Sequence, residues 1–271
     1  MPLLEKHDIY LLANQLPSVS NAAAQLVGII DDPDTPREKI VDLLKIDEML
    51  FADCFKQANS AAIGAFRKFV TINEIVDVLG FAHIKRVALY TAAKSVVDDP
   101  RLWHQSVFIA LAAEFLAKKN YFDQKQCDAM YMAALFQNYG SFLLKYSFPN
   151  EYRECCRKKE YTERLAAEKE EFGYNSLEIS ALLLKQFGIP DYVTDIIENQ
   201  SKVYTETATK ENFFIEIGRI LHEIQDQDID DLRKSLADRA IYESVVRSGI
   251  SLIHVNEDMV STLQAHTNAI A

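Results

Sequence analysis

The helical spacing of the apolar residues is the feature that most limits what this chain can fold into. Apolar side chains recur at three- and four-residue steps and rarely alternate, which is the pattern of one face of an α-helix. In the segment 209–225 the stripe consists of Phe213, Ile217, Ile220 and Ile224. Glycine, which weakens helices, occurs only 8 times in 271 residues. The sequence therefore predicts an all-α fold.

Helix start and stop signals divide this pattern into elements. Thr35-Pro36-Arg37-Glu38 combines an N-cap, a proline at the first helical position and a capping-box glutamate. Thr71 with Glu74 and Asn175 with Glu178 have the capping-box spacing, while Gly80 and Gly188 are stop signals. The predicted helices are 18–30, 36–45, 48–60, 71–79, 81–97, 103–119, 125–146, 175–187, 190–199, 209–225 and 229–247.

Composition limits the partners of the chain. A chain of 271 residues that is 49% hydrophobic can bury one substantial core, or two smaller cores that share an interface. Its net charge of −11 repels a phosphate backbone unless a basic patch overcomes it. The runs Arg157-Lys158-Lys159 and Lys85-Arg86 are better interpreted as solvated or helical surface than as such a patch. We expect no nucleic-acid partner.

The same residues bear on the location of the protein. No stretch approaches the roughly 18 consecutive apolar residues of a membrane span. The N-terminal segment carries Glu5 and Asp8 among its leucines and has no small-residue cleavage pattern. The four cysteines contain no C-x-x-C pair, so reduced thiols are expected. We therefore expect a cytoplasmic protein with no membrane partner.

The stretch ALFQNYGSFLL, residues 134–144, places two adjacent amides in an apolar run. One explanation of Gln137 and Asn138 is a helix end at Gly140, where side-chain amides satisfy loose backbone groups. The alternative is that the two amides belong to a polar site inside the core. The local sequence leaves both interpretations open.

Short motifs follow one another along the chain in a fixed order. They are LPSV (16–19), IDDP (30–33), QANSAAIG (57–64), IVDVLGF (75–81), WHQS (103–106), ALFQNYGSFLL (134–144), FPNEY (148–152), FGYNS (172–176) and FGIP (187–190). As an ordered series they resemble the HDOD family, a branch related to the HD-superfamily metal phosphohydrolases. The resemblance implies a multi-helix bundle of the HD-superfamily-like type.

The resemblance also implies a domain organisation. Residues 1–205 would form an HDOD-like helical domain, with an N-terminal helical part at about 12–100 and an HD-like core at about 101–205. Residues 206–271 would be a C-terminal helical extension packed on the same unit.

The same resemblance implies a reason for the two adjacent amides, Gln137 and Asn138. HD phosphohydrolases surround a metal with a histidine, a His-Asp pair and a later aspartate, and the pair falls on Gln137-Asn138. The earlier histidine falls on Gln105, the last aspartate on Arg219, and a histidine after the Phe-Gly step on Ser176. Neutral amides bind divalent metals weakly and compensate no charge. These five residues are therefore predicted to form a relic pocket, with no catalytic residue, metal or cofactor.

The other signature residues are interpreted as structural. Asn59 and Ser60 can bind nearby backbone and fix a helix exit. Trp103 would anchor the start of a helix against the core, and Gly140 would accompany the helix end.

The main functional hypothesis is a non-catalytic signal-transduction or interaction domain of a bacterial cytoplasm, acting through a separate protein partner. One alternative is a metal-dependent phosphohydrolase with an atypical ligand set that recruits His104 or His222. Another is a metal-free binder of a nucleotide or other small molecule, held in the relic pocket.

Overall fold

The all-α prediction is confirmed. The structure, a computed structural model, describes residues 3–13, 21–30, 32–59, 69, 71–94, 100–158, 160–186, 189–224 and 242–270. Its helices are α1 (Lys6–Ala13), α2 (Asn21–Ile29), α3 (Arg37–Ile46), α4 (Glu48–Ala58), α5 (Ile72–Lys94), α6 (Pro100–Lys119), α7 (Gln124–Phe136), α8 (Tyr139–Ser147), α9 (Pro149–Cys155), α10 (Tyr161–Phe172), α11 (Ser176–Gln186), α12 (Asp191–Asn199), α13 (Lys210–Ile224), α14 (Tyr242–Arg247) and α15 (Glu257–Ile270). These ranges contain no β-strand.

The chain forms two compact units. One contains residues 1–13, 99–186 and 190–271, and the other contains residues 14–98 and 187–189. In the second unit α5 packs against α2, α3 and α4. Its core includes Leu26, Ile40, Leu44, Leu50 and Ile75, whose side chains are fully buried.

Helix α6 is the centre of the first unit. Helices α7, α13 and α15 pack on it, while α11 packs against α8 and α12. A Cβ atom at Gly218 of α13 would lie 3.2 Å from the Cβ of Ala112, so α13 approaches α6 closely. Helices α13 and α15 thus pack within this unit. The predicted stripe on α13 is buried at Phe213, Ile217 and Ile220.

Two of the three predicted capping boxes are present. The Thr71 hydroxyl accepts the N–H of Glu74 at 3.2 Å, and the Glu74 carboxylate accepts the N–H of Thr71 at 3.1 Å. Asn175 and Glu178 exchange the same pair of bonds at 2.9 Å. The third prediction is wrong: α3 begins at Arg37, and the Thr35 hydroxyl instead donates to the carbonyl of Ile29 at 2.8 Å.

Gly80 interrupts α5 as predicted. Its backbone has φ 68° and ψ 164°, a left-handed conformation that glycine adopts without strain, so two helical segments meet at a kink there. The predicted stop at Gly188 lies outside the described residues.

The prediction of one helix over 125–146 is wrong. Helix α7 ends at Phe136 and α8 begins at Tyr139, so the break falls on the two amides. Gly140 is the second residue of α8 and does not end a helix. Helices α1, α9, α10 and α15 were not predicted. The predicted helix 229–247 overlaps α14, and residues 229–241 are outside the described residues.

Within the described ranges, no helix is long and apolar enough to cross a membrane.

Candidate functional site

The α7–α8 junction is a turn made without any left-handed residue. Gln137 has φ −56° and ψ −28°, and Asn138 has φ −87° and ψ 2°. Neither conformation needs glycine, so tertiary contacts and not a local stop signal decide where the helix breaks.

One side of this junction is sealed by α11. The Ser180 hydroxyl accepts the N–H of Gly140 at 2.7 Å and lies 2.9 Å from the carbonyl oxygens of Gln137 and Ser176. A Cβ atom at residue 140 would lie 2.0 Å from the carbonyl oxygen of Ser176. Only glycine fits this approach. We call Gly140, Ser176 and Ser180 the packed face.

The other side carries the polar side chains. Asn138 donates from Nδ2 to the Ser106 hydroxyl at 3.0 Å, and Ser106 donates to the carbonyl of Leu102 at 3.0 Å. Gln137, which is buried, donates from Nε2 to the carbonyl of Ala134 at 3.1 Å. The structure gives the side-chain amide of Gln105 no hydrogen bond to any described residue. We call Gln105, Gln137 and Asn138 the cavity face.

The cavity face opens onto a cavity of about 550 Å³. This cavity is lined by three groups of residues: the amides Gln105, Gln137 and Asn138; the charged Lys145, Arg153, Arg164, Arg219 and Glu223; and Leu102, Ile109, Ser141, Pro149, Tyr152, Cys156 and Tyr161. Four of the five residues of the predicted pocket therefore lie around one space. Ser176 does not line it: its N–H donates to Glu168 at 2.8 Å.

Arg219 is held by carboxylates. Its Nε donates to Glu216 at 2.9 Å, and its two terminal nitrogens bond to Glu216 and Glu223. Burial disfavours the guanidinium cation, but the hydrogen-bonded Glu216 outweighs burial and raises the pKa of Arg219 above its ordinary value. Arg219 therefore stays charged.

A second arginine lies beside a buried carboxylate. Arg164 Nε is 3.4 Å from Oε1 of Glu168, and neither atom has a hydrogen-bond partner within the described part of the chain. Burial raises the pKa of Glu168, although the N–H of Ser176 and the charge of Arg164 act in the opposite direction. The ring of Tyr161 has the Arg164 guanidinium 4.9 Å and the Arg219 guanidinium 5.5 Å from its centroid. Tyr161 thus contacts two of the three arginines that line the cavity.

The two histidines considered for an atypical metal site lie elsewhere. The rings of His104 and His222 are 6.1 Å apart, and His104 Nε2 is 2.9 Å from Oδ1 of Asn268. Neither histidine lines the cavity. On the described residues, no group of three or more His, Cys, Asp or Glu side chains is placed to hold a metal ion.

The donor chemistry of the cavity does not fit the metal of an HD phosphohydrolase. The positions implied by the resemblance carry three neutral amides and a guanidinium. Divalent metals in such sites are held by imidazole nitrogen and carboxylate oxygen, and a fixed cation repels them. Glu223, the one carboxylate of the lining, already binds Arg219.

Two residues of the family signature have structural roles: Asn59 bonds to the backbone, and Trp103 packs in the core. Asn59 ends α4, where its amide donates to the carbonyls of Phe55 and Phe69 at 3.0 Å and accepts the N–H of Phe69 at 2.8 Å. Trp103 is buried in the first turn of α6. Ser60 lies outside the described residues.

A family model that matches most of the chain identifies its family. The HDOD domain family model matches residues 16–203, which is more than half of the chain. The chain belongs to the HDOD domain family. A solved structure of a proposed phosphohydrolase from Shewanella amazonensis SB2B has a TM-score of 0.72 and 19% identity, covering 97% of this chain and 95% of that one. At such low identity the likeness shows the shared helical fold.

This chain matches only part of the length of two further relatives. A structure of a proposed signal transduction protein from Marinobacter aquaeolei VT8 has a TM-score of 0.67 and 21% identity, covering 94% of this chain and 58% of that one. An uncharacterized protein of Treponema pallidum (strain Nichols) is 27% identical over 141 residues, 50% of this chain. That match spans 27% of the Treponema protein's length.

Sequence reasoning found Arg219 but missed the other three cations of this HDOD cavity, Lys145, Arg153 and Arg164. Arg153 and Arg164 lie on α9 and α10, neither of which was predicted. Pro149 at the first position of α9, followed by Glu151 in the first turn, is a helix start signal that could have revealed it. On α10 the buried residues Leu165, Glu168 and Phe172 have helical spacing.

Proposed function

We propose that this HDOD protein is a non-catalytic signal-transduction or interaction module in which the HD metal site has been lost. The observation that carries the proposal is the lining of the cavity. The amides of Gln105, Gln137 and Asn138 and the guanidinium of Arg219 surround the space where the resemblance places metal ligands. Without a metal the cavity has no acidified water to attack a phosphate.

The side chains keep the shape of such a site without its chemistry. An amide can occupy the space of histidine or aspartate and still donate and accept hydrogen bonds. Asn138 does so with Ser106, and Gln137 with the carbonyl of Ala134. Arg219, where the resemblance places an aspartate, binds the buried Glu216 and adds positive charge.

The signalling part of the proposal includes a protein partner, in a bacterial cytoplasm. The name of the Marinobacter relative supports a role in signal transduction, since that protein shares the fold over most of this chain. A module without catalysis transmits a signal through binding, so its output would be an interaction with another protein.

Hydrolase assays test the proposal. Purified protein is incubated with nucleoside phosphates and with Mn²⁺, Fe²⁺ or Zn²⁺, and phosphate release is measured with and without a chelator. We expect no chelator-sensitive release. Release that is abolished by a chelator and by Gln137→Ala, but retained in Gln186→Ala, would contradict the proposal. Gln186 is an exposed residue of α11 outside the cavity lining and controls for a general effect of losing an amide.

A further inference from the structure

The charge of the cavity is opposite to the charge of the whole chain. The protein has a net charge of −11, yet the cavity lining contains four cationic side chains and one carboxylate. A concave site of one sign with low-dielectric walls concentrates the field and attracts ions of the opposite sign. The lining therefore offers an anion an excess of positive side chains, and those without a carboxylate partner contribute most to its attraction.

The three arginines of the lining differ in how far protein carboxylates already neutralise them. Arg219 is bonded to Glu216 and Glu223, and Arg164 faces Glu168. Arg153, at the end of α9, has no ion pair or hydrogen bond with any residue that the structure describes. Its guanidinium keeps its five N–H donors for a ligand or water.

Neutral hydrogen-bond donors line the same cavity as these cations. The Gln105 amide has no hydrogen bond within the described residues, and it lines the same space. Burial raises the pKa of Tyr161 to about 12, so its hydroxyl remains a protonated donor at neutral pH. A group with several acceptor oxygens and more than one negative charge could use Arg153, Gln105 and Tyr161 together.

We propose that this cavity binds a phosphate-bearing small molecule directly, with Arg153 as the principal contact for the phosphate and no metal between them. The cavity volume of about 550 Å³ is in the range of small-molecule sites. This inference rests on the proposed function, because a cavity with a catalytic metal would present the phosphate to that metal.

A cysteine provides a readout of occupancy that does not depend on activity. Cys156 lines the cavity and is exposed, whereas Cys54, Cys127 and Cys155 are buried. A ligand in the cavity should slow the alkylation of Cys156 by N-ethylmaleimide, a neutral reagent whose approach does not depend on the charge of the lining. The variant Cys156→Ser confirms that the measured labelling is at this residue.

The experiment measures the rate of Cys156 alkylation in the full chain, in chelator, with inorganic pyrophosphate, AMP or adenosine. We expect pyrophosphate and AMP to slow labelling and adenosine to leave it unchanged. In Arg153→Gln the half-protecting concentration of pyrophosphate should rise about tenfold or more, as for loss of a charge-assisted hydrogen bond. Arg157→Gln is the matched control, since Arg157 is exposed, pairs with Glu154 and does not line the cavity.

Three results would overturn the inference. They are labelling unaffected by pyrophosphate and AMP, equal protection by adenosine and AMP, and an equal loss of protection in Arg153→Gln and Arg157→Gln. Release of phosphate from AMP in a parallel reaction with Mn²⁺ would instead overturn the proposed function. The two failures are therefore distinguishable.

Discussion

The two sides of the α7–α8 junction show how one short segment serves both fold and site. On the packed face, Gly140 and Ser180 bring α8 and α11 so close that a methyl group has no room. On the cavity face, Gln137 and Asn138 border a space of about 550 Å³. The packed face thus fixes the helix break, whereas on the cavity face we expect Gln105, whose amide bonds to no described residue, to be replaceable at little cost in stability.

The largest expected effect is on the packed face. Gly140→Ala should lower the free energy of unfolding by about 3 kcal/mol or more, because its Cβ would overlap a backbone oxygen that cannot rotate away. Urea unfolding measures the change. Gly28→Ala is the control, since its Cβ would meet nothing within 4 Å on an exposed helical position. The control should be neutral or stabilise by about 0.5–1 kcal/mol. Equal effects of the two substitutions would remove the distinction between the faces.

The second-largest effect is expected from the Ser180 hydroxyl, which bonds to the backbone of Gly140 and Gln137 on the packed face. Ser180→Ala should cost about 1–3 kcal/mol, because the buried N–H of Gly140 loses its acceptor. Denaturant unfolding again gives the value. Ser201→Ala, which removes a hydroxyl bonded to the carbonyl of Glu198 on the surface, should change stability by less than about 0.5 kcal/mol. A Ser180 variant as stable as the Ser201 variant would show that the seal contributes little.

A pH-dependent effect is expected from Glu168, which accepts the N–H of Ser176 on the packed face and lies beside Arg164 of the cavity. Because burial raises the pKa of Glu168 in the folded state, the folded protein binds more protons than the unfolded one in the interval above the ordinary value of 4.5. This group therefore makes the protein less stable as pH rises through that interval. Glu168→Gln should remove the trend, so the stability of the variant relative to wild type should increase with pH. Unfolding at several pH values measures it, and a constant or falling difference would contradict the assignment.

The smallest effect is expected on the cavity face. Gln105→Leu should change the free energy of unfolding by less than about 0.5 kcal/mol, because its amide bonds to no described residue. The measurement is the same urea titration. A loss above about 1 kcal/mol would indicate that Gln105 holds the fold, and the contrast between the two faces would fail.

The two helix breaks show what the sequence could and could not predict. The break at Gly80 follows from a residue that adopts φ 68° without strain, so the stop was visible in the sequence. The break at Gln137-Asn138 uses ordinary backbone angles and depends on Ser180, more than 40 positions along the chain. The residues next to the break in the sequence carry no signal of such a distant contact. The close approach at Gly140 was missed for the same reason.

Part of the candidate site, likewise, could be predicted from the sequence. The ordered motifs lead to Gln105, Gln137 and Asn138, and the family resemblance adds Arg219. The structure places all four around one cavity. Ser176 follows the same motif logic, yet it lies on the packed face with its N–H on Glu168. The carboxylate partners of Arg219, and the lack of any partner for the Arg153 guanidinium among the described residues, depend on how helices pack. They could only be found in three dimensions.

The metal content of the purified protein shows whether the HD metal site has been lost. The purified, untagged protein is equilibrated with Mn²⁺, Fe²⁺ or Zn²⁺, dialysed into metal-free buffer without chelator, and subjected to elemental analysis. We expect no metal above trace, because amides and a guanidinium line the cavity. Near-stoichiometric metal, lost on substitution of Gln137 or Asn138, would contradict it.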